Sequence, residues 1–264
     1  LAAAQEPAPA ADAAAEPSWI APLASRSLLL DLARAGSRVV AVGERGHVLY
    51  SDDEGASWTQ VQVPVSANLT AVYFVDVRHG WAVGHDEAII RTRDGGLSWE
   101  RTHFEPEAKQ PLLDVWFADA ERGLAVGAYG VIYASADGGA SWTRAAFEPA
   151  ELAAAAPAPG DDAGYEDDVD AGIDFHLNAI VPAPGGRLYL AAEAGRLYRS
   201  DDGGASWQLV DSLWQRPERQ EWFGGGYDAP GIHSLCPHPQ HADELLAGIS
   251  CGGAWLTRDG GASW

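Results

Sequence analysis

From Leu28 onward the chain runs in short apolar stretches with two-residue alternation, separated by clusters of Gly, Asp and Ser. Such alternation predicts half-buried β-strands between tight turns. The pattern is clearest from Leu69 to Val75, Gly80 to Gly84, Ala88 to Thr92 and Trp99 to Phe104, four runs that predict one four-stranded antiparallel unit. The unit recurs in register: Leu28 to Trp58, Leu69 to Trp99, Leu112 to Trp142 and Leu177 to Trp207 each span 30 positions, and Ile232 to Trp264 spans 32. Gly43, Gly84, Gly127 and Ala192 stand 15 after these starts, and Gly248 stands 16 after. One such sheet cannot bury both its faces alone, so the units must stack around an axis.

Between the third and fourth runs of every unit lies an octapeptide of the form Ser/Thr-x-Asp-x-Gly-x-Ser-Trp. Its Asp carboxylate can cap turn amides, its Gly tolerates positive φ, and its Trp anchors the next strand. The five copies place Asp53 with Trp58, Asp94 with Trp99, Asp137 with Trp142, Asp202 with Trp207, and Asp259 with Trp264. The octapeptide is identified as the Asp-box, or BNR, repeat, and this resemblance implies an all-β fold, a β-propeller of four-stranded antiparallel blades. These Asp residues read as structural, marking the back of the propeller.

Blades start near residues 28, 69, 112, 177 and 232, within a domain running from 18 to 264; the last blade is incomplete, and the five could be part of a six- or seven-bladed ring. Ser18-Trp19-Ile20-Ala21-Pro22-Leu23 looks like a box end followed by a fourth strand that could complete the last blade. Residues 1–17 read as a flexible tether or signal-peptide remnant. Two connections are long: an acidic, Ala/Pro-rich insertion at 148–176, and a loop at 208–231 carrying Trp222, Tyr227 and a Gly triplet.

Charge narrows the partners. A formal net charge of −21 argues against nucleic acid or an anionic membrane surface, both of which would repel the chain. No apolar run is long enough to insert into a membrane as a helix. Asp168, Asp170 and Asp174 lack the spacing of a calcium loop, and no metal or other cofactor is expected. Cys236 and Cys251, the only cysteines, leave open either a disulfide or two buried thiols.

The ends of blades opposite the boxes carry the candidate chemistry. Glu44, Arg45, His85, Asp86, Glu87, Tyr129, Trp222 and Tyr227 are candidate binding residues on this front face, because loops there are free to contact partners. A glycosidase would instead need two carboxylates across the channel, and Asp114 with Glu193 are the candidate catalytic pair. No complete catalytic site is visible.

Leu69-Thr70-Ala71-Val72-Tyr73-Phe74-Val75-Asp76, Gly80-Trp81-Ala82-Val83-Gly84 and Ile89 to Gly96 resemble the repeat of the Ycf48/Hcf136 family of photosystem II assembly factors, with Leu112 to Trp142 and Leu177 to Trp207 following suit. The resemblance implies a non-enzymatic, periplasmic or secreted propeller that binds a protein partner in assembling or stabilising a membrane or envelope complex. The photosynthetic members' Arg-rich patch has no counterpart here. Pro230 to Leu235 with Gly248 to Gly253 is more similar to sialidase-like BNR glycosyl hydrolases, which implies the alternative of a carbohydrate-active propeller with a glycan as partner.

Overall fold

A computed structural model describes residues 16–147, 176–223 and 230–264. Five antiparallel sheets follow one another along the chain. Blade 1 comprises β1 (Leu29–Ala35), β2 (Arg38–Gly43), β3 (Val48–Ser51) and β4 (Thr59–Val61), and blade 2 comprises β5 (Leu69–Phe74), β6 (Gly80–Gly84), β7 (Ile89–Thr92) and β8 (Glu100–His103). Blade 3 comprises β9 (Leu112–Phe117), β10 (Gly123–Gly127), β11 (Ile132–Ser135) and β12 (Thr143–Ala145). Blade 4 comprises β13 (Leu177–Ala183), β14 (Arg187–Ala192), β15 (Arg196–Ser200) and β16 (Gln208–Leu209), and blade 5 has β17 (Ile232–Pro237), β18 (Leu245–Ile249) and β19 (Gly253–Thr257). Each sheet is ordered as in the chain, and the first strands touch from blade to blade, β1 with β5, β5 with β9, β9 with β13 and β13 with β17. The protein is therefore a β-propeller with its first strands innermost.

Its core is not one mass but four slabs, each shared by two consecutive blades. The slab between blades 2 and 3 is anchored by Trp81, whose ring stacks on Phe117 with centroids 3.4 Å apart and planes 4° apart. The Trp81 indole N–H donates to the Gly138 carbonyl at 3.0 Å, the backbone of the next blade's Asp box.

All five boxes close in the same way. In the first, the Ser51 hydroxyl donates to Asp53 Oδ1 at 2.7 Å and accepts from the Gly55 amide at 2.7 Å, while Ser57 gives its amide to Oδ1 at 2.8 Å and its hydroxyl to Oδ2 at 2.6 Å. The Ser hydroxyl and amide that donate to each carboxylate hold Asp53, Asp137, Asp202 and Asp259 down at about 2. The boxes thus hold the connections between third and fourth strands, at the end of the blades opposite the turns between second and third strands.

A first-strand bulge in blades 2 to 5, and its counterpart in blade 1, puts one residue out of register. The innermost strand has no neighbour on its channel side, so its amides and carbonyls there need other partners. The preceding blade supplies them. The Val72 amide donates to Asp31 Oδ2 of blade 1 and the Ile180 amide to Asp114 Oδ2 of blade 3, each at 2.8 Å. In the alternate seams the direction reverses: Thr70 of blade 2 donates to the Leu112 carbonyl at 2.6 Å, and Asn178 of blade 4 to the Ile232 carbonyl at 3.4 Å.

Two expectations are corrected. Ser18 to Ala21 lies along the outer edge of blade 1 rather than completing blade 5: the Ser18 amide donates to the Val63 carbonyl at 2.8 Å, and the Gln60 side chain bonds the Ala21 amide and the Trp19 carbonyl, both at 2.7 Å. Gln60 offers both a donor and an acceptor to that passing backbone, which holds the segment locally. Cys236 and Cys251 are free and exposed. Cys236 pairs with Leu246 near one end of β18, whereas Cys251 follows Ile249 at the other end. Four residues of strand between them amount to roughly 13 Å, beyond the ~7 Å Cα reach of a disulfide. Both thiols are expected to react with a chromogenic disulfide reagent without denaturant, and a native protein in which neither thiol titrates would contradict this placement.

The acidic insertion lies outside the described residues save for His176, and the 1–17 tether save for Glu16 and Pro17. The 208–231 connection contains β16, a short helix at Asp211–Trp214 and a 3₁₀ turn at Pro217–Glu221. Among the described residues no helix is long and apolar enough to cross a membrane, and no group of metal-ligating side chains converges.

Candidate binding face

The front face is built by one turn repeated in every blade. After the second strand the chain makes a three-residue turn whose first amide donates back to a carbonyl at the blade's entry. These bonds run from Glu44 to Leu28, His85 to Asn68, Ala128 to Pro111, Glu193 to His176 and Ser250 to Gly231, all at 2.9–3.0 Å. The second residue of each turn is left-handed: Arg45 (φ 57°), Asp86 (59°), Tyr129 (53°), Ala194 (57°) and Cys251 (43°). For a residue with a Cβ this conformation costs on the order of 1 kcal/mol, and glycine would be the inexpensive choice. Four of these tips instead carry charged, aromatic or thiol side chains. Arg45, Tyr129 and Cys251 are exposed and Asp86 is half-buried.

Each tip stands thirteen residues before its box Trp. Reading the front face by residue type finds Arg45, Asp86 and Tyr129 but passes over Cys251, which that count places on the same rim.

The rim residues differ in their freedom. Glu44 is half-buried, its carboxylate within 3.3 Å of the Leu28 amide that donates to it, while His85 is exposed. Tyr129 stands edge-on to His176 of blade 4 with centroids 5.4 Å apart, and Glu193 accepts from both the His176 amide and its Nδ1 at 3.0 Å. This Tyr129, His176 and Glu193 cluster spans the front of the seam between blades 3 and 4.

Two expected binding residues point inward instead. Glu87 is 2% exposed: it fills the turn position held by Gly46, Gly130, Gly195 and Gly252 in the other blades, again with positive φ (51°). Its carboxylate accepts the Tyr133 hydroxyl at 2.7 Å and lies 3.4 Å from His103 Nε2, and burial together with this carboxylate pushes the Tyr133 phenol up. Trp222 is 8% exposed and packs with Trp255 at 5.5 Å in the slab between blades 4 and 5, where Gly195 and Gly252 leave room for its ring. Its neighbour Phe223 is the exposed aromatic, and Tyr227 lies outside the described residues.

The candidate catalytic carboxylates belong to separate networks. Asp114 spans the seam to blade 4 and accepts from its own Val115 amide at 2.8 Å as well as from Ile180. Enclosure between blades pushes its carboxyl up to about 7, with the charge of Asp31 adding to the effect and the two amides opposing it. Glu193 holds His176. Both have a structural task.

Beside blade 1 the rim opens into a cleft of about 650 Å³ lined by Trp19, Ile20, Leu23, Arg45, His47 and Ser66. His47 is 4% exposed, its Nδ1 has no hydrogen-bond partner, and burial depresses its basicity, so the cleft wall is neutral around the exposed Arg45 guanidinium.

Five Asp-box sheets whose first strands touch their neighbours define an Asp-box β-propeller, with the boxes on the back face and the left-handed tips on the front. Part of the chain is similar to Ycf48 proteins. Residues 50–150 match the model of the photosynthesis system II assembly factor YCF48, and residues 198–209 match the BNR/Asp-box repeat. The chain is 35% identical over 94 residues to the chloroplastic photosystem II stability/assembly factor HCF136 of Cyanidioschyzon merolae, covering 35% of this chain and 20% of that one. It is 42% identical over 43 residues to the photosystem II assembly protein Ycf48 of Thermosynechococcus vestitus, covering 16% and 12%. The matched segments thus span a fifth or less of these relatives' own length. Among solved structures, a YCF48 bound to a D1 peptide superposes with a TM-score of 0.54 at 16% identity, covering 89% of this chain and 80% of that one. A GH74 xyloglucanase from Xanthomonas campestris superposes with a TM-score of 0.59 at 16% identity, covering 86% and 36%. Likeness at that identity is a likeness of fold.

Proposed function

We propose that this propeller is a non-catalytic scaffold whose front rim captures a peptide segment of a membrane-protein partner during assembly of that partner's complex. The observation that carries the reading is the YCF48 match over residues 50–150, which contains the whole of blades 2 and 3 with their tips Asp86 and Tyr129. A similar fold holding a D1 peptide supports a peptide as the ligand class. The rim suits that task, since its tips are set by backbone geometry and are not needed as core. An exported location, on the envelope side of a membrane, goes with this reading through the resemblance to the assembly factors.

The test is direct binding. Fluorescently labelled peptides tiling D1 are titrated with the protein, then with the double variant Glu44→Arg/Asp86→Arg and with Tyr129→Ala. We expect binding of at least one segment, weakened about tenfold or more by the rim variants with unchanged melting temperature. Absence of binding to every segment, or rim variants that bind as well as the parent, would refute the front rim as the site of capture.

A further inference from the structure

Backbone strain on the rim is concentrated in blade 2. Among the described residues eight that are not glycine have positive φ, and three of them stand together here: Asp86 (59°) and Glu87 (51°) in successive tip positions, and Lys109 (52°) in the connection that follows β8. The other four blades have glycine where blade 2 has Glu87, with φ of 68°, 68° and 71° at Gly46, Gly130 and Gly195. Glycine takes that conformation without steric cost, and glutamate does not. Strain of this kind persists only where the surroundings over-determine it, and it gathers at ligand clamps and switches.

The surroundings of this tip do over-determine it. The Asp86–Glu87 peptide has both its polar groups taken by the connection between β8 and β9: its carbonyl accepts the Glu105 amide at 2.9 Å, and its N–H donates to the Gln110 carbonyl at 3.0 Å. The Glu87 carboxylate accepts the Tyr133 hydroxyl of β11 at 2.7 Å and lies 3.4 Å from Nε2 of His103 in β8, whose ring is 4.6 Å from that of Tyr133. One side chain thus ties the tip to its own outermost strand and to the next blade, which a glycine in its place has no atoms to do. Burying a carboxylate costs free energy in addition to the strain. Neither is needed to close a tip, since four blades close theirs with glycine.

We propose that Glu87 is a positioning residue of the rim: it holds the neighbouring Asp86 rigidly in the left-handed conformation in which that tip meets a ligand, at a cost in stability that the other blades avoid. Stability given up in this way is a recurrent accompaniment of function. A tip fixed beforehand loses less conformational freedom when it binds than one that must order on contact. The role rests on the reading of the front rim as the site of peptide capture, whereas the rigidity of the tip is measured with no ligand present.

Hydrogen exchange of the full chain, resolved at single amides, tests the positioning. The reporters are the Ala88 and Glu105 amides, which donate to the His85 and Asp86 carbonyls, and the control is the His47 amide, which donates to the Glu44 carbonyl in blade 1. Glu87→Gly should speed exchange of both reporters about tenfold or more and leave His47 unchanged. Tyr133→Phe, which leaves the tip's own sequence intact, should speed the same two amides from a different blade. Glu87→Gln keeps an oxygen for the Tyr133 hydroxyl and should exchange like the parent. A labelled D1 peptide that binds the parent should bind the Gly variant about tenfold more weakly and the Gln variant equally well. Unchanged reporters in both the Gly and Phe variants would overturn the proposal, and so would equal acceleration at His47, because Glu87 would then be supporting the fold at large. A parent that binds a D1 peptide no better than its Gly variant does would overturn it as well. A parent that binds no segment refutes capture at the rim instead, and the exchange rates alone then judge whether Glu87 fixes the tip.

Discussion

Replacing Trp81 by Ala is expected to destabilise the protein by about 3–5 kcal/mol, as for other buried aromatic-to-alanine changes. The side chain is 1% exposed, stacks on Phe117 across the seam between blades 2 and 3, and donates to the Gly138 carbonyl that also receives Arg91 Nη1 at 3.0 Å. Truncation therefore opens a cavity and removes a donor at the same place. The same position in blade 5 provides an internal control, for Leu246 is 40% exposed; Leu246→Ala should cost less than about 1 kcal/mol. Urea unfolding followed by tryptophan fluorescence and circular dichroism measures both. A Trp81→Ala variant no less stable than Leu246→Ala would mean that the slabs between blades are not what holds the propeller together.

The second large effect concerns pH. Asp114 has its carboxyl raised to about 7, by burial first, and Asp31 is raised in the same direction by burial. A carboxyl whose folded value exceeds its unfolded value binds its proton more tightly when folded. The resulting stability is fully present below the unfolded value near 4 and is lost as pH rises through about 7. Stability should accordingly fall between about pH 4 and 7, by as much as about 4 kcal/mol from Asp114 alone. Asp114→Asn keeps a carbonyl oxygen for the Ile180 amide while removing the charge, so it should flatten this slope and gain stability at pH 8. The Asp-box carboxylates act the other way. Held near 2, they contribute stability above about 4 that disappears as pH falls through about 2. Denaturant midpoints taken across pH 3 to 8 should therefore pass through a maximum under mildly acidic conditions, and an Asp114→Asn profile parallel to the parent's would show that Asp114 titrates alike in the folded and unfolded chain.

The boxes and the blade spacing were legible because their chemistry is local. Ser51, Asp53, Gly55 and Ser57 satisfy one another within a single turn, so eight residues suffice to recognise it. Which way a turn residue points is not local. Glu87 looks like a solvated front-face acid until Tyr133, forty-six positions away, supplies a buried hydroxyl to receive it. Trp222 reads as an exposed aromatic in a Gly-rich loop, yet the vacancy beside Gly195 and Gly252 draws it inward. Ser18 to Leu23 carries the signature of a fourth strand without any indication of which sheet it joins, and Gln60 decides that through side-chain bonds. Cys251 needed only the thirteen-residue count to be placed on the rim, a signal visible in register but hidden in residue type.

The seam bonds also give the blades parity. Odd blades 1 and 3 reach forward with an acceptor, Asp31 or Asp114, whereas even blades 2 and 4 reach forward with a donor, Thr70 or Asn178. The amides of Leu32, Val72, Val115 and Ile180 share one register position, and each odd blade's carboxylate takes its own and the next blade's, so two even blades in succession would leave one such amide without this acceptor. A move by two places preserves every match. The interchangeable module of this architecture is thus a couple of blades, and grafts or deletions made in twos should be accommodated where single-blade exchanges are not.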